Sequence, residues 1–110
     1  MSEQQSIDWL GASGKQYTYY VHRLPVNFNP NQDGNYIFTK LNQQNQWVPI
    51  YIGQGDLKAR TENHHKADCI RQKGATHVHV HLNSIESARL SEEKDLLANY
   101  TNAYMPTGCN

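Results

Sequence analysis

Two short segments that favour β-structure, with a polar connection between them, constrain the fold of this chain more than any other feature. Residues 36–39 and 48–52 are rich in β-branched and aromatic side chains, which are enriched in strands. Residues 42–46 between them are all Asn or Gln. Two strand-like runs joined by so short a polar stretch predict an antiparallel β-hairpin.

A helix is predicted to follow the hairpin directly. A Gly-Gln-Gly turn ends the second strand, Asp56 is a residue type that caps helices, and good helix formers come next. We therefore expect a helix over residues 56–72. Leu57, Arg60 and His64 lie at i, i+3 and i+7 in it, so the two polar side chains would share a helical face and point inward or along the rim of a cleft.

A second helix is predicted over residues 85–100, with an Asn-Ser pair as its cap. Glu93 lies three residues after Leu90 and four before Leu97, which puts it on the apolar stripe of that helix. A buried acid is costly unless it is paired or binds a cation. Glu93 is therefore the acid that we expect to serve a site. The alternative is a surface ion pair with a basic neighbour on the same helix.

These residues resemble the motif of the GIY-YIG nuclease family. The family pattern is a GIY-type tripeptide, a short spacer, a YIG tripeptide and an arginine seven residues after the YIG glycine; a later helix carries a glutamate shortly before an aliphatic pair. The matching residues, in chain order, are Gly34-Asn35-Tyr36, Tyr51-Ile52-Gly53, Arg60, His64 and Glu93. The resemblance spans residues 34–110, and the closing segment from Pro106 to Asn110 is similar as well.

The resemblance implies metal-dependent endonucleolytic hydrolysis of phosphodiester bonds in DNA, with RNA left open. It implies that Tyr36 acts on the attacking water, as general base or as its relay, and that Tyr51 holds the arrangement by hydrogen bonds. His64 is the expected acceptor of the Tyr36 proton. Arg60 would supply a permanent charge to the phosphate, and Glu93 would hold one Mg²⁺ or Mn²⁺ ion per site.

Four further residues are expected to contact the substrate: Lys40, Gln54, Lys58 and Asn110. Gln54 stands where repair-type members of the family often carry lysine, and Lys40 or Lys58 would supply the missing charge. The expected partner is DNA, the expected assembly is a monomer or homodimer, and a protein partner or inhibitor is left open. The alternative function is a catalytically reduced GIY-YIG-like module that binds nucleic acid or a protein.

The predicted fold is α+β: a small, mainly antiparallel three-stranded sheet flanked by helices, with an extra N-terminal strand over residues 16–24. The hairpin and residues 77–82 would supply the three strands. Residues 1–33 would form an N-terminal extension with the accessory strand and a linker. Residues 34–110 would form the GIY-YIG-like nuclease domain, and the whole would be one compact unit. Residues 1–15 are expected to be a tail or a short helix.

Three histidines alternate with apolar residues in the last predicted strand. His77, His79 and His81 would therefore face one side of the sheet. A metal site, a solvated polar face, and contact with a phosphate backbone or with the active cleft are the alternatives. Ligands at alternate strand positions spread by about 6.5 to 7 Å per pair, which disfavours a single metal centre.

Composition limits the remaining classes of protein. Ten basic and ten acidic residues among 110 give no net charge, so the basic surplus that normally supplies phosphate affinity is absent. Cys69 and Cys109 are too few for a disulfide framework and have no metal-ligand spacing, so free thiols in a reducing compartment are expected. Neither a secretory signal nor a membrane span is visible in the sequence. The expected location is the cytoplasm, with no membrane partner.

Overall fold

A five-stranded antiparallel sheet forms the centre of the molecule, in a computed structural model that describes residues 4–110. The elements in chain order are β1 (Ser6–Leu10), β2 (Gln16–Arg23), β3 (Asp33–Leu41), β4 (Trp47–Asp56), α1 (Leu57–Glu62), α2 (Ala67–Gln72), β5 (His77–Leu82), α3 (Glu86–Asn99) and a 3-10 turn (Thr101–Ala103). Among the described residues, no helix has the length and apolar character needed to cross a membrane.

The strand count predicted from the sequence was wrong. The sheet has the order β1-β2-β5-β3-β4, and every neighbouring pair is antiparallel. β2 is an inner strand that pairs with β5, and β1 adds an outer strand where a tail or a short helix was expected. Alternation explains β1, because Trp9 turns into the core while Asp8 and Leu10 lie outside. Residues 1–3 of the expected tail lie outside the described part of the chain.

Both faces of the sheet are covered, and each has its own apolar core. The core under α1 and α2 contains Tyr36, Phe38, Ile50, Leu57, Ile70, Val78, Val80 and Cys109. The core under α3 contains Trp9, Tyr19, Ile37, Ile52, Leu96 and Ala103. Tyr51 packs against the first core. The two tyrosines expected at the site therefore lie on the same face of the sheet, the one that α1 and α2 cover.

The predicted hairpin is confirmed. β3 and β4 pair antiparallel, with Tyr36 opposite Gly53. The loop, residues 42–46, is organised by Asn42, whose side-chain oxygen accepts hydrogen bonds from two backbone N–H groups of the loop. Asn45 adopts a left-handed conformation with φ of 60°, which Asn tolerates better than most residues. The polar tract is therefore a structured turn that fixes the register of the two strands.

The single helix predicted over residues 56–72 is two helices, separated by residues 63–66. His64 makes the break. Its backbone carbonyl accepts from the first N–H of α2, and its Nδ1 accepts from the Lys66 N–H at 2.9 Å. A side chain that bonds to nearby backbone groups competes with the hydrogen bonds of a helix. The interruption turns His64 towards the sheet, where it reaches Tyr36.

Cys69 and Cys109 form a disulfide, so the expectation of free thiols was wrong. Their Cα atoms are 5.9 Å apart, although 40 positions separate them in the sequence. The bond fastens the C-terminal strap, which we define as residues 104–110, to α2. The strap also lies along β4, since the Cys109 N–H donates to the Ile50 carbonyl at 2.8 Å. It thereby covers one edge of the sheet.

β5 is the central strand, and its histidines do not form a solvated row. His79 is fully buried: its Nδ1 accepts from Trp9 Nε1 at 3.0 Å, and its Nε2 lies 3.2 Å from the Thr39 hydroxyl. His81 instead bonds to the Glu92 carboxylate of α3 at 2.9 Å. In the part of the chain that the structure describes, no three His, Cys, Asp or Glu side chains gather as a metal site would need. Because both faces of β5 are covered, its histidines bond to different partners. The alternation of residue types in the sequence does not reveal this.

Stability should fall below about pH 6.5 because of His79. Burial lowers the pKa of His79 to about 3, whereas in the unfolded chain it would keep the ordinary value near 6.5. Between these values the unfolded state binds a proton that the native state does not. The stabilisation is therefore complete above about pH 6.5 and is lost progressively towards pH 3. Urea unfolding should give a free energy roughly 2.5 kcal/mol lower at pH 4.5 than at pH 7 on account of this group.

The matched variant for this effect is His79→Gln, whose amide can accept from Trp9 and donate to Thr39 without titrating. It should be less stable than the wild type at pH 7 but should show a flatter pH dependence. An unchanged slope would mean that His79 is not the titrating group. His64, whose pKa is lowered by burial to about 4, acts in the same direction and is present in both proteins.

Candidate active site

Tyr36 is the central side chain of the candidate site. It is almost fully buried, and its hydroxyl oxygen lies 2.7 Å from His64 Nε2. The Tyr51 ring stacks beside it, with a centroid distance of 6.1 Å and planes 18° apart. The His64 ring packs edge-on against both tyrosines. Two phenols from adjacent strands and an imidazole from the α1–α2 connection thus form one aromatic cluster.

Gly53 makes room for this cluster. A Cβ at this position would stand 2.6 Å from the Tyr36 hydroxyl oxygen and 2.8 Å from the Tyr51 ring. Both distances are shorter than real Cβ contacts. The missing side chain allows the Tyr36 phenol to lie across β4, the edge strand of the sheet. Close approach of a side chain to the backbone therefore explains why a glycine occupies this place.

Gly53→Ala should disable the cluster without unfolding the protein. The methyl group would push the Tyr36 hydroxyl and the Tyr51 ring away from their positions, and overpacking of this kind costs about 1 to 3 kcal/mol. Misplacing reacting groups by about 1 Å costs roughly 100-fold in rate, so any cleavage activity should fall by about that factor. Rates and thermal melts measured together check this.

Gly11→Ala is the matched control for that experiment. A Cβ at Gly11 would collide with the Asp95 carboxylate, in the β1–β2 region away from the cluster. It introduces a comparable steric conflict but touches neither tyrosine. We expect its activity to stay near the wild-type level, and an equal loss in both variants would contradict the role given to Gly53.

The hydrogen bonds of His64 determine which of its nitrogens carries the proton. Nδ1 accepts from the Lys66 N–H, so in a neutral ring the proton must be on Nε2. Burial lowers the pKa of His64 to about 4, which keeps the ring neutral at pH 7. Nε2 therefore donates to the Tyr36 oxygen. His64 was expected from the sequence to accept the Tyr36 proton, whereas this geometry makes it a donor that would stabilise a Tyr36 phenolate.

Arg60 and Glu93 join the cluster electrostatically. Burial raises the pKa of Tyr36, of Tyr51 and of Glu93. The Glu93 charge raises the pKa of both phenols further, and Arg60 lowers the pKa of all three groups. These effects couple Arg60 and Glu93 to both phenols. They leave both tyrosines protonated at neutral pH, so that added positive charge is needed to form a phenolate.

The Arg60 side chain is held near the turn that joins β4 to α1. Asp56 starts α1 as predicted, since its carboxylate accepts from the Ala59 N–H at 3.1 Å. Arg60 folds back over Gly55, where a Cβ would stand 2.9 Å from the arginine Nε. The guanidinium is exposed, and within residues 4–110 it takes part in no ion pair. Its forked N–H donors are therefore available to an anion.

Glu93 does not lie on the buried stripe of α3, where it was expected from the sequence. The buried residues of α3 are Arg89, Glu92 and Leu96, whereas Leu90 is exposed. The apolar pattern was misleading because two charged residues are buried with hydrogen-bond partners of their own. Glu93 itself is half-buried.

Glu93 is the carboxylate expected to bind a metal, and a single carboxylate suits a divalent ion that has few protein ligands. Glu93 is an acid whose charge acts on both tyrosines of the cluster. Mg²⁺ commonly keeps several water ligands and binds proteins through one or two carboxylates. A half-buried carboxylate that acts electrostatically on both phenols is compatible with that requirement. A cage of three acidic, histidine or cysteine ligands is not found among the described residues.

The residues expected to contact the substrate lie in different places. Lys40 follows Tyr36 by four residues on β3, which is about 13 Å along the strand. The Gln54 side-chain oxygen accepts from Arg89 Nε at 3.0 Å, so it helps to join β4 to α3. Lys58 pairs with Glu62 at 2.8 Å on the surface of α1. Such an exposed pair is weak enough for a phosphate to displace.

Asn110 holds β4 in place. Its side-chain oxygen accepts from the Ile52 N–H at 2.9 Å, and its side-chain nitrogen donates to the Ile52 carbonyl at 2.8 Å, as a neighbouring strand would. Its backbone N–H donates to the Ala103 carbonyl. Ile52 stands between Tyr51 and Gly53, so the last residue of the chain positions the strand segment that carries the site.

Two features were not expected from the sequence, one beside the cluster and one under α3 on the opposite face of the sheet. One is His65, which is exposed and stacks on His64. The other is a buried polar network in which Glu92 accepts from the Tyr19 hydroxyl and bonds to His81. Two consecutive histidines after an asparagine are a weak signal for the end of α1. The network has no local signal, because its members come from separate elements.

Comparison of the chain with protein-family models, with curated proteins and with solved structures yields no significant match.

Proposed function

We propose that this protein is a metal-dependent endonuclease of the GIY-YIG type that hydrolyses phosphodiester bonds in DNA. The observation that supports the proposal most is the convergence of a set of side chains from separate elements: Tyr36, Tyr51, Arg60, His64 and Glu93. Phosphodiester hydrolysis needs a base for the attacking water, positive charge at the phosphate, and a proton for the leaving oxygen. Phenol, guanidinium, imidazole and carboxylate groups are suited to these tasks.

Tyr36 would take the proton of the attacking water. Its oxygen accepts the His64 Nε2–H, and this bond becomes stronger when the oxygen carries a negative charge. Burial raises the pKa of Tyr36, so the phenolate would form only when positive charge is present at the site. Tyr51 stacks against the Tyr36 ring and limits its movement.

Arg60 would bind the non-bridging oxygens of the scissile phosphate with its forked donors. Glu93 would hold a Mg²⁺ or Mn²⁺ ion, which when bound would supply positive charge at the phosphate. A single site of this kind cuts one strand in each encounter. Cleavage of both strands would then require a homodimer or a second binding event.

A plasmid-nicking assay with and without Mg²⁺ or Mn²⁺ tests this function. Wild-type protein should nick supercoiled DNA only with the metal, and Glu93→Gln or Arg60→Gln should slow nicking by about 100-fold or more. The matched controls are Glu86→Gln on α3 and Arg71→Gln on α2, which change exposed residues of the same types. Both should behave like the wild type. Absence of metal-dependent cleavage of both DNA and RNA by the wild type would overturn the proposal.

The second candidate function is a binding module with reduced catalytic activity. The net charge of zero favours it, since substrates of a nuclease are usually bound through a basic surplus. Its signature would be retardation of DNA or RNA in a native gel without cleavage. Glu93→Gln would leave that binding unchanged or strengthen it, because it removes a negative charge from the site.

The cysteines bear on where the protein would act. The cytoplasm expected from the sequence is a reducing compartment, in which stable disulfides are rare. The Cys69–Cys109 bond fits an oxidising compartment better. Thiol labelling after acid quenching of the intact source cells distinguishes the two, since only reduced cysteines take the label.

A further inference from the structure

We propose that His65 is a catalytic residue of this site, which gives a proton to the leaving oxygen of the cleaved phosphodiester. This inference rests on the proposed function and assigns its missing general acid. The His65 ring stacks on His64 at a centroid distance of 4.6 Å with planes 17° apart, and it meets Tyr51 edge-on at 5.9 Å. It is exposed, unlike the buried His64. An imidazole held by two ring contacts and open to solvent can collect a proton and deliver it to a bound ligand.

The other side chains of the cluster are poorly suited to this task. His64 has both nitrogens engaged, and its one N–H is directed at the Tyr36 oxygen. Arg60 does not give up a proton in proteins. Burial raises the pKa of both Tyr36 and Tyr51, which makes the phenols weak acids. Glu93 is the expected ligand of the divalent ion, so its carboxylate is already assigned.

The charges near His65 also favour an anionic substrate there. His65, Arg60 and Lys66 each lower the pKa of His64 through their charge. Three cationic or potentially cationic side chains therefore act on His64, although the whole chain has no net charge. A phosphodiester would be attracted to these charges. Its leaving oxygen could then lie against the exposed His65 ring.

The proton balance of the step is complete with these groups. The oxygen of the attacking water bonds to phosphorus, and the bond to the leaving oxygen breaks with its electron pair on that oxygen. The water proton passes to the Tyr36 phenolate, and the protonated His65 ring gives its N–H proton to the leaving oxygen. One water is consumed, and one phosphomonoester and one hydroxyl are formed. His65 then regains a proton from solvent, and Tyr36 releases one.

Substrates with a bridging sulfur test the assignment. A thiolate leaves without protonation, because thiols have a pKa of about 8.5 and are far stronger acids than alcohols. The probes are short DNA duplexes with oxygen, 3′-sulfur or 5′-sulfur at one scissile position, which cover both directions of bond cleavage. His65→Gln should slow cleavage of the all-oxygen duplex by about 100-fold or more, but should cleave one of the sulfur duplexes at close to the wild-type rate. Added imidazole should partly restore His65→Ala on the all-oxygen duplex.

The control is His22→Gln, a half-buried histidine of β2 that packs on Phe28. It should cleave all three duplexes like the wild type, and thermal melts verify that each variant is folded. An equal loss for His65→Gln on oxygen and sulfur substrates would overturn its role as the acid, as would a wild-type rate on the all-oxygen duplex. If the wild type cuts none of the duplexes, the proposed function fails and the role of His65 fails with it. This outcome is distinguishable from a failure of the His65 role alone, in which the wild type still cleaves the duplexes.

Discussion

Tyr36→Phe should reduce metal-dependent cleavage by about 100- to 10,000-fold while the protein stays folded. The change removes one oxygen, which accepts the His64 Nε2–H at 2.7 Å and would take the proton of the attacking water. The ring remains and keeps its packing against Phe38 and Tyr51. A buried N–H of His64 loses its partner, which costs about 1 to 3 kcal/mol of stability. Initial rates at saturating substrate and urea unfolding separate the two effects.

Tyr20→Phe is the matched control for Tyr36→Phe. Tyr20 is 47% exposed on β2, so loss of its hydroxyl should alter neither activity nor stability. A rate for Tyr36→Phe within about tenfold of the wild type would show that the phenol is not the base, since general-base catalysis contributes at least about 100-fold. In that case the roles of Arg60 and Glu93 would still be tested separately by the Arg60→Gln and Glu93→Gln variants.

Reduction of the Cys69–Cys109 bond should lower the free energy of unfolding by about 4 kcal/mol, the loop-entropy value for a closed loop of this length. Domains of this size have a total stability of only about 5 to 15 kcal/mol, so the loss would be a large fraction of it. Urea unfolding with and without a phosphine reductant measures the difference. The double variant Cys69→Ser with Cys109→Ser should match the reduced protein and should not respond to the reductant.

The C-terminal strap should loosen before the rest of the sheet. Hydrogen exchange at the Ile52 N–H, which donates to Asn110, should become faster on reduction because the strap then loses its covalent link to α2. Asn110→Ala in the oxidised protein is the comparison, since it removes the two Ile52 bonds but keeps the disulfide. Asn110→Ala should lower the free energy of unfolding by about 1 to 2 kcal/mol, which is less than the loss on reduction. Unchanged stability and unchanged Ile52 exchange after reduction would show that the disulfide does not hold the strap in place.

The parts of this fold that sequence reasoning predicted well are those whose signals lie within a few residues. The β3–β4 hairpin has a β-favouring run on each side of a polar loop, and Asn42 closes that loop with its own side chain. α3 was predicted to within about one residue at each end, although its N-cap is Ile85 and not the Asn-Ser pair that was expected. Asp56 was expected to cap α1, and its carboxylate does so.

Errors arose where distant segments decide the local structure. The helix predicted over residues 56–72 is broken, because His64 turns away from the helical face and reaches Tyr36 across the sheet. Glu93 was placed on the buried stripe of α3, but that stripe contains Arg89 and Glu92, whose partners lie on other elements. Hydrophobic pattern alone cannot reveal a charged residue that is buried with a partner.

Local sequence signals were sufficient to predict the hairpin, the cap of α1 and the identity of the groups proposed for the chemistry. The folded chain was needed to reveal the five-strand order, the pairing of Cys69 with Cys109, and the anchoring of β4 by Asn110. It also decided the proton position on His64, which depends on one backbone N–H in a turn. The reason is that these features depend on contacts between residues far apart in the chain, and such contacts leave no periodic pattern in the sequence.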